Sequence, residues 1–264
     1  MECVSSIPRN GLRLQSVTGS LKKAPSQDKL SRILQSFNTW AFKREQPSDP
    51  LLLSRFVNQA VMRQEPLSFV LYWGKGPRSE LDRPDIECLD FLASLASRVK
   101  AVYPHGVRIS LIMTDTHATL NGHAAANITR YFTEVEREAR ARSFESYLLG
   151  ELTESAGNFV EVENGQTPSD DTLQRLASCA MRWYRGEGTA EEGARKYYRM
   201  NMLEREVVQL FFPSSIFVTF SGRDCRDLFP RKMPIFYMYS LRRGTSVKPW
   251  FLPPPAGEIE QIAV

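Results

Sequence analysis

Residues 66–78, PLSFVLYWGKGPR, and residues 107–117, VRISLIMTDTH, decide how this chain folds. The first begins with a short apolar and aromatic run, Pro66 to Trp73, which reads as a buried strand rather than a helix. Gly74-Lys75-Gly76 follows at once, and glycine directly after a buried strand lets a ligand approach the backbone. A helix is expected next, with Asp82 as its cap and Pro84 in its first turn. Ile86, Leu89, Leu92, Leu95, Val99 and Val102 would form its buried stripe, and Tyr103-Pro104-His105-Gly106 ends it. Val107 to Met113 is a second apolar strand, closing on Thr114-Asp115-Thr116-His117. A strand, a helix and a strand in this order make a right-handed crossover between parallel neighbours. The expected fold is therefore α/β, a Rossmann-like, mostly parallel sheet, with Asp115 at the strand end where such sheets often bind ribose hydroxyls.

Working outward, residues 1–26 read as a loose arm rich in Ser, Pro, Gly and Lys. Leu30, Ile33, Leu34, Phe37, Trp40 and Ala41 share one helical face within Lys29 to Arg44, and a second amphipathic helix runs through Leu52, Phe56, Val57, Ala60 and Val61. Residues 27–65 are thus expected as an N-terminal helical lid, the alternative being helices that pack on the core. Residues 66–264 would be the catalytic domain. Beyond Asn121 the pattern predicts helices through Ile128 to Ala139, from Asp170 toward Trp183 and from Thr189 to Val208. Strands are predicted at Asn158 to Val162, Ser215 to Phe220 and Ile235 to Ser240, with Thr245 to Phe251 as a last extended piece.

The 42% hydrophobic and 24% charged composition over 264 residues is enough to build one sizeable core. A net charge of only +4, with acids interspersed among the basic residues, argues against a nucleic-acid partner. No run approaches the roughly 20 apolar residues that span a bilayer, and the N-terminus lacks the apolar core of a secretory signal. Cys3, Cys88, Cys179 and Cys225 form no CxxC pair and read as reduced thiols. His105, His117 and His123 show no metal-site spacing, so no metal is expected. The picture is a cytoplasmic protein with a small-molecule substrate and an undetermined oligomeric state.

No GxSxG elbow, HExxH helix, Walker loop or kinase signature is present. The chemistry must come from polar groups at strand ends. Gly74, Gly76 and Asp115, at the spacing of one βαβ unit, are candidates for holding a nucleotide or sugar, with Trp73 beside them. His117 and Asn121 are the candidate acid/base and orienting groups, although a loop histidine with a local partner and an asparagine cap are the ordinary alternatives. Asn127 is read in the same way as Asn121. Tyr197 and Tyr198, with Tyr237, Tyr239 and Trp250, could line a cage for a cation or belong to the core.

Two family resemblances attach to these residues. Pro84-Asp85-x-Glu87, Tyr103-Pro104-x-Gly106, the strand closing on Asp115, and Lys248-Pro249-Trp250 together resemble the isocyanide synthases and the dityrosine- or pyoverdine-type biosynthesis proteins. That resemblance covers residues 66–135 and the last strands. It implies a Rossmann-like core that makes an isonitrile from an amino acid and ribulose 5-phosphate, with Lys75, Arg78 and Lys248 on the phosphate and His117 as acid/base. By size and layout the chain also resembles the azetidine-2-carboxylate synthases, which carry helical lids over a methyltransferase-like core. That likeness, preferred on size and layout, implies S-adenosylmethionine as substrate or cofactor of a secondary-metabolite enzyme that cyclises it to azetidine-2-carboxylate with release of methylthioadenosine; isonitrile synthesis and small-molecule methyl transfer are the alternatives. With S-adenosylmethionine bound, Gly74 and Gly76 would meet its amino-acid end, Asp115 the ribose, and Tyr197, Tyr198 or Trp73 the sulfonium. A non-catalytic binding module is the reading from a different class.

Overall fold

A computed structural model describes residues 27–74, 81–157, 168–220 and 222–238. Its centre is a five-stranded sheet built from β1 (Leu67–Trp73), β2 (Val107–Met113), β3 (Glu145–Leu148), β4 (Ile216–Thr219) and β5 (Ile235–Tyr237), ordered β3-β2-β1-β4-β5. Every neighbouring pair is parallel, with β1 and β2 in register from Leu67↔Val107 to Trp73↔Met113. The sheet is thus wholly parallel where the sequence predicts mostly parallel, as expected for strands joined by crossovers.

Helices cover both faces. α1 (Gln27–Phe37), α2 (Pro50–Arg63), α3 (Arg83–Val102) and α5 (Ala125–Ala141) form one core with Phe69, Leu71 and Trp73. α6 (Leu149–Ala156), α7 (Asp170–Trp183) and α8 (Ala190–Phe211) form the other with Val70, Ile112 and Phe217. The alternation follows from the strand repeat of two, which sends consecutive side chains to opposite faces.

Local chemistry fixes the helix starts. Asp82 accepts from the Asp85 amide while the Asp85 carboxylate accepts from the Asp82 amide, a reciprocal cap on α3 with Pro84 in the first turn. Asp49 caps α2 through the Leu52 amide at 2.8 Å, and Thr189 with Glu192 caps α8. Ile33, Phe37, Leu53 and Val57 are buried in the first core, so α1 and α2 pack on the sheet. Phe37 meets Phe69 and Phe236 edge-on at 5.3 and 5.6 Å.

The sequence expectation departs from the structure in a few places, each with a local cause. The first helix stops at Phe37 rather than Arg44, because the following segment is drawn to β5. Lys43 forms an antiparallel bridge with Met238, and the amides of Arg44 and Ser48 donate to the carbonyls of Tyr237 and Ile235. This contact occupies an edge that would otherwise be left to pair with other chains. Asp115 to Leu120, expected as a loop, forms the short helix α4, and β3 is a four-residue edge strand with no apolar run to announce it. Part of the expected loop 221–234 is the 3-10 turn Arg223–Leu228. The strand predicted at Asn158 to Val162 and the piece Thr245 to Phe251 lie outside the described residues. None of the described helices is long and apolar enough to cross a membrane.

One buried polar contact ties the first core together: the Trp73 indole N–H donates to the Tyr131 hydroxyl at 3.0 Å. Tyr131→Phe removes that acceptor from a site where both side chains are buried, Tyr131 fully so. The expected cost is about 1–3 kcal/mol, read from urea unfolding.

Candidate active site

The chain runs outward from β1 through β2 to β3, then returns to lay β4 on the other side of β1. In such sheets the crevice for a ligand opens at the carboxyl ends of the strands where the order reverses. Gly74 leaves β1 at that edge. The Trp73↔Met113 pairing sets Gly74 beside Thr114, whose hydroxyl and amide both donate to the Trp73 carbonyl, at 3.1 and 3.3 Å. A Cβ at Gly74 would lie 3.5 Å from the Thr114 hydroxyl, an ordinary contact, so packing alone does not demand glycine there. Gly76, Lys75 and Arg78 lie outside the described residues.

Asp115 opens α4 on the same edge, half-buried, and one carboxylate oxygen accepts the Gly150 amide at 3.0 Å. It thereby supplies negative charge to the amino end of α6, where unpaired amides and the helix dipole favour it. A Cβ at Gly150 would come within 2.7 Å of the other oxygen. Gly150→Ala is expected to push the carboxylate off this amide and to cost about 1 kcal/mol, the worth of a lost cap, measured as a shift in urea midpoint.

Behind this edge, on the α8 side, lies a buried polar cluster. The Glu204 side chain is 1% exposed, and its two oxygens serve two donors: the Thr116 hydroxyl at 2.7 Å and the His117 Nε2 at 2.6 Å. An ionised carboxylate can only accept, so this contact assigns an imidazole proton to Nε2, the tautomer control that a carboxylate partner imposes on histidine. Tyr197 packs edge-on against the imidazole, centroids 5.1 Å apart. Tyr72 stands 6.4 Å away, with its own edge contact to Phe217 at 5.1 Å. The Tyr72 hydroxyl is buried and finds no hydrogen-bond partner among the described residues. Burial first, and then the Glu204 charge, hold this phenol well above its ordinary range, so it stays protonated and able to donate.

The expected residues distribute as follows. His117, Asn121 and Tyr197 come together: the Asn121 amide donates to the His117 carbonyl, while its oxygen is buried with no partner among the described residues. Tyr198 and Tyr237 are buried in the same core. Gly74 and Asp115 share the carboxyl edge in front of them. Trp73 lies on the opposite face, packed with α3 and α5 elements and bonded to Tyr131, because it is the immediate neighbour of Tyr72 on one strand. Asn127 sits in the first turn of α5, exposed, its amide on the Ala124 carbonyl. Tyr239 and Trp250 are outside the described residues.

Sequence reasoning missed Tyr72, Thr116 and Glu204. Glu204 carried a usable signal: it stands seven residues after Tyr197, two helical turns along the same stripe as Asn201. A charged residue on an amphipathic helix is normally assigned to the solvent face, and only the buried partner on α4 reverses that assignment.

The sheet order, the two helical layers and the polar cluster behind the carboxyl edge define the class, a Rossmann-like α/β protein. Among solved structures the chain is similar to the PvcA protein from Pseudomonas aeruginosa, at 17% identity over 84% of this chain and 87% of that one, with a TM-score of 0.64. At this identity the likeness speaks for the fold alone. Weaker likenesses, which carry no argument, extend to tyrosyl-tRNA synthetase of Archaeoglobus fulgidus, 14% identical over 84% and 66% of the two chains, TM-score 0.49. Tryptophanyl-tRNA synthetase of Plasmodium falciparum is 10% identical over 83% and 62%, TM-score 0.47. No protein-family model and no curated protein sequence matches the chain.

Proposed function

We propose that this chain is an enzyme of small-molecule biosynthesis that forms an isonitrile from an amino acid and ribulose 5-phosphate. The observation that carries the reading is the buried His117–Glu204 pair, behind the carboxyl edge of a fold like that of PvcA. The first stage, joining the amine to the ketone, forms a carbon–nitrogen double bond and releases the carbonyl oxygen as water, and the two carbon–carbon bonds at that carbon break in later steps to leave the isonitrile. In this first stage both protons of the neutral amine leave the nitrogen in turn and both reach the oxygen. An imidazole with a fixed tautomer can perform each transfer, taking a proton at Nδ1 and returning it. Glu204 holds the ring and favours the imidazolium formed between the two steps, while the protonated Tyr72 hydroxyl is a donor of the kind that steadies a developing oxyanion. Lys75, Arg78 and Lys248 are the proposed phosphate contacts.

A second reading, S-adenosylmethionine bound and cyclised to azetidine-2-carboxylate or used for methyl transfer, is favoured by one observation. Gly74 and Asp115 stand at adjoining strand ends of a single βαβ unit, the layout that holds an adenosyl ligand. Tyr197 would then supply the aromatic face toward the sulfonium.

One experiment separates the readings. The protein is incubated with L-amino acids and ribulose 5-phosphate, and in parallel with S-adenosylmethionine, and the products are read by mass spectrometry. An isonitrile in the first arm is the expected result. Methylthioadenosine in the second arm would replace it with the S-adenosylmethionine reading. Ligand-induced thermal stabilisation without turnover in either arm would leave a binding module.

A further inference from the structure

At the opposite, amino-terminal edge of the sheet the described residues enclose a cavity of about 420 Å³, within the range of roughly 300–1,000 Å³ typical of small-molecule sites. It exists because α8 ends at Phe211, leaving the first residues of β1, β2 and β3 uncovered on that face. Its floor is a set of hydroxyls: Ser68 and Ser215 bond each other at 2.7 Å, and Ser110 donates to Glu145 at 2.9 Å. Tyr147 and Phe212, edge-on at 5.4 Å, form an aromatic wall.

The charges of the lining are built rather than scattered. Glu145 accepts from Ser110 and from the Tyr147 hydroxyl at 3.1 Å, and burial followed by the Glu145 charge pushes that phenol up to about 12, so it remains a neutral donor. Two neutral donors fix the carboxylate without cancelling its charge. The nearest cation, Arg108, stands at 3.6 Å and is more than half exposed. Arg63 and Glu65 stand 4.0 Å apart on the same rim. Both are ion pairs longer than the 2.7–2.9 Å of a charge-assisted hydrogen bond, and their side chains are 43–59% exposed, so a guest's charges can reach both signs. A ligand with net charge would meet repulsion as well as attraction, whereas one carrying both signs is matched at each end.

We propose that this cavity is a second binding site, remote from the carboxyl edge, for a small zwitterion with an apolar body of aromatic amino-acid size. Its ammonium group sits on Glu145, its carboxylate on the arginine rim, and its body against Tyr147 and Phe212. The site takes no part in the reaction proposed above, and the two stand or fall separately.

Calorimetric titration of the full chain with L-phenylalanine tests it, against phenethylamine and 3-phenylpropanoate, each of which lacks one charge. L-Phenylalanine is expected to bind at least tenfold more tightly than either analogue. Glu145→Gln and Arg108→Gln, both at partly exposed positions, are expected to weaken it at least tenfold, whereas His117→Ala leaves it unchanged. Absence of binding, equal affinity for a singly charged analogue, indifference to Glu145→Gln and Arg108→Gln, or loss in His117→Ala would each overturn the proposal.

Discussion

Glu204→Ala is expected to destabilise the protein by about 3–5 kcal/mol, the largest loss of any single polar substitution considered. The carboxylate accepts from Thr116 and His117 at a position that is 1% exposed. Removing one member of a buried charged network costs this much because the desolvated partners lose their bonds and gain no water. Glu204→Gln preserves volume and one acceptor oxygen, and its cost should fall to about 1–2 kcal/mol. Urea unfolding checks both, and an unchanged slope would show that the native state itself has lost stability. If Glu204→Ala unfolds at the wild-type midpoint, the carboxylate is not the buried hub described above.

The second large effect is on rate. His117→Ala is expected to lower turnover of the substrate found by the product assay by about 10²–10⁴-fold, the usual worth of a positioned acid/base group. Glu204→Gln should lower the same rate by a smaller factor, since it acts through the imidazole. The double variant should be little slower than His117→Ala alone, because residues in direct contact do not contribute additively. A His117→Ala protein of undiminished activity would confine the pair to a structural role. An additive double variant would mean that Glu204 acts independently of the ring.

Much of the fold is legible in the sequence where local and global signals agree. β1, α3 and β2 are announced by apolar runs of strand length, an aspartate cap, a proline in the first turn and a helical stripe, and they form with nearly the expected bounds. β3 is not legible: Glu145-Ser146-Tyr147-Leu148 is a short edge strand whose polar half faces the open cavity, so no hydrophobic pattern marks it. α4 escapes for a different reason, since six residues carry too few apolar positions to display a period. In the candidate site, Gly74, Asp115 and His117 are readable as strand-end residues. Glu204 and Thr116 are not, because their burial results from α8 crossing back over α4 after a long excursion from β3, a tertiary event with no local trace. Asp115 shows the converse: its place at the strand end is legible, but its bond to the Gly150 amide depends on where α6 begins.

The most direct measurement is a crystal structure of the protein soaked with ribulose 5-phosphate and the amino acid that the product assay identifies. Density for both is expected against Gly74 and Thr114 at the carboxyl edge of β1 and β2, with the reacting nitrogen within hydrogen-bond reach of His117. Density confined to the cavity at the amino edge, or an empty carboxyl edge at saturating concentration, would contradict the placement of the chemistry.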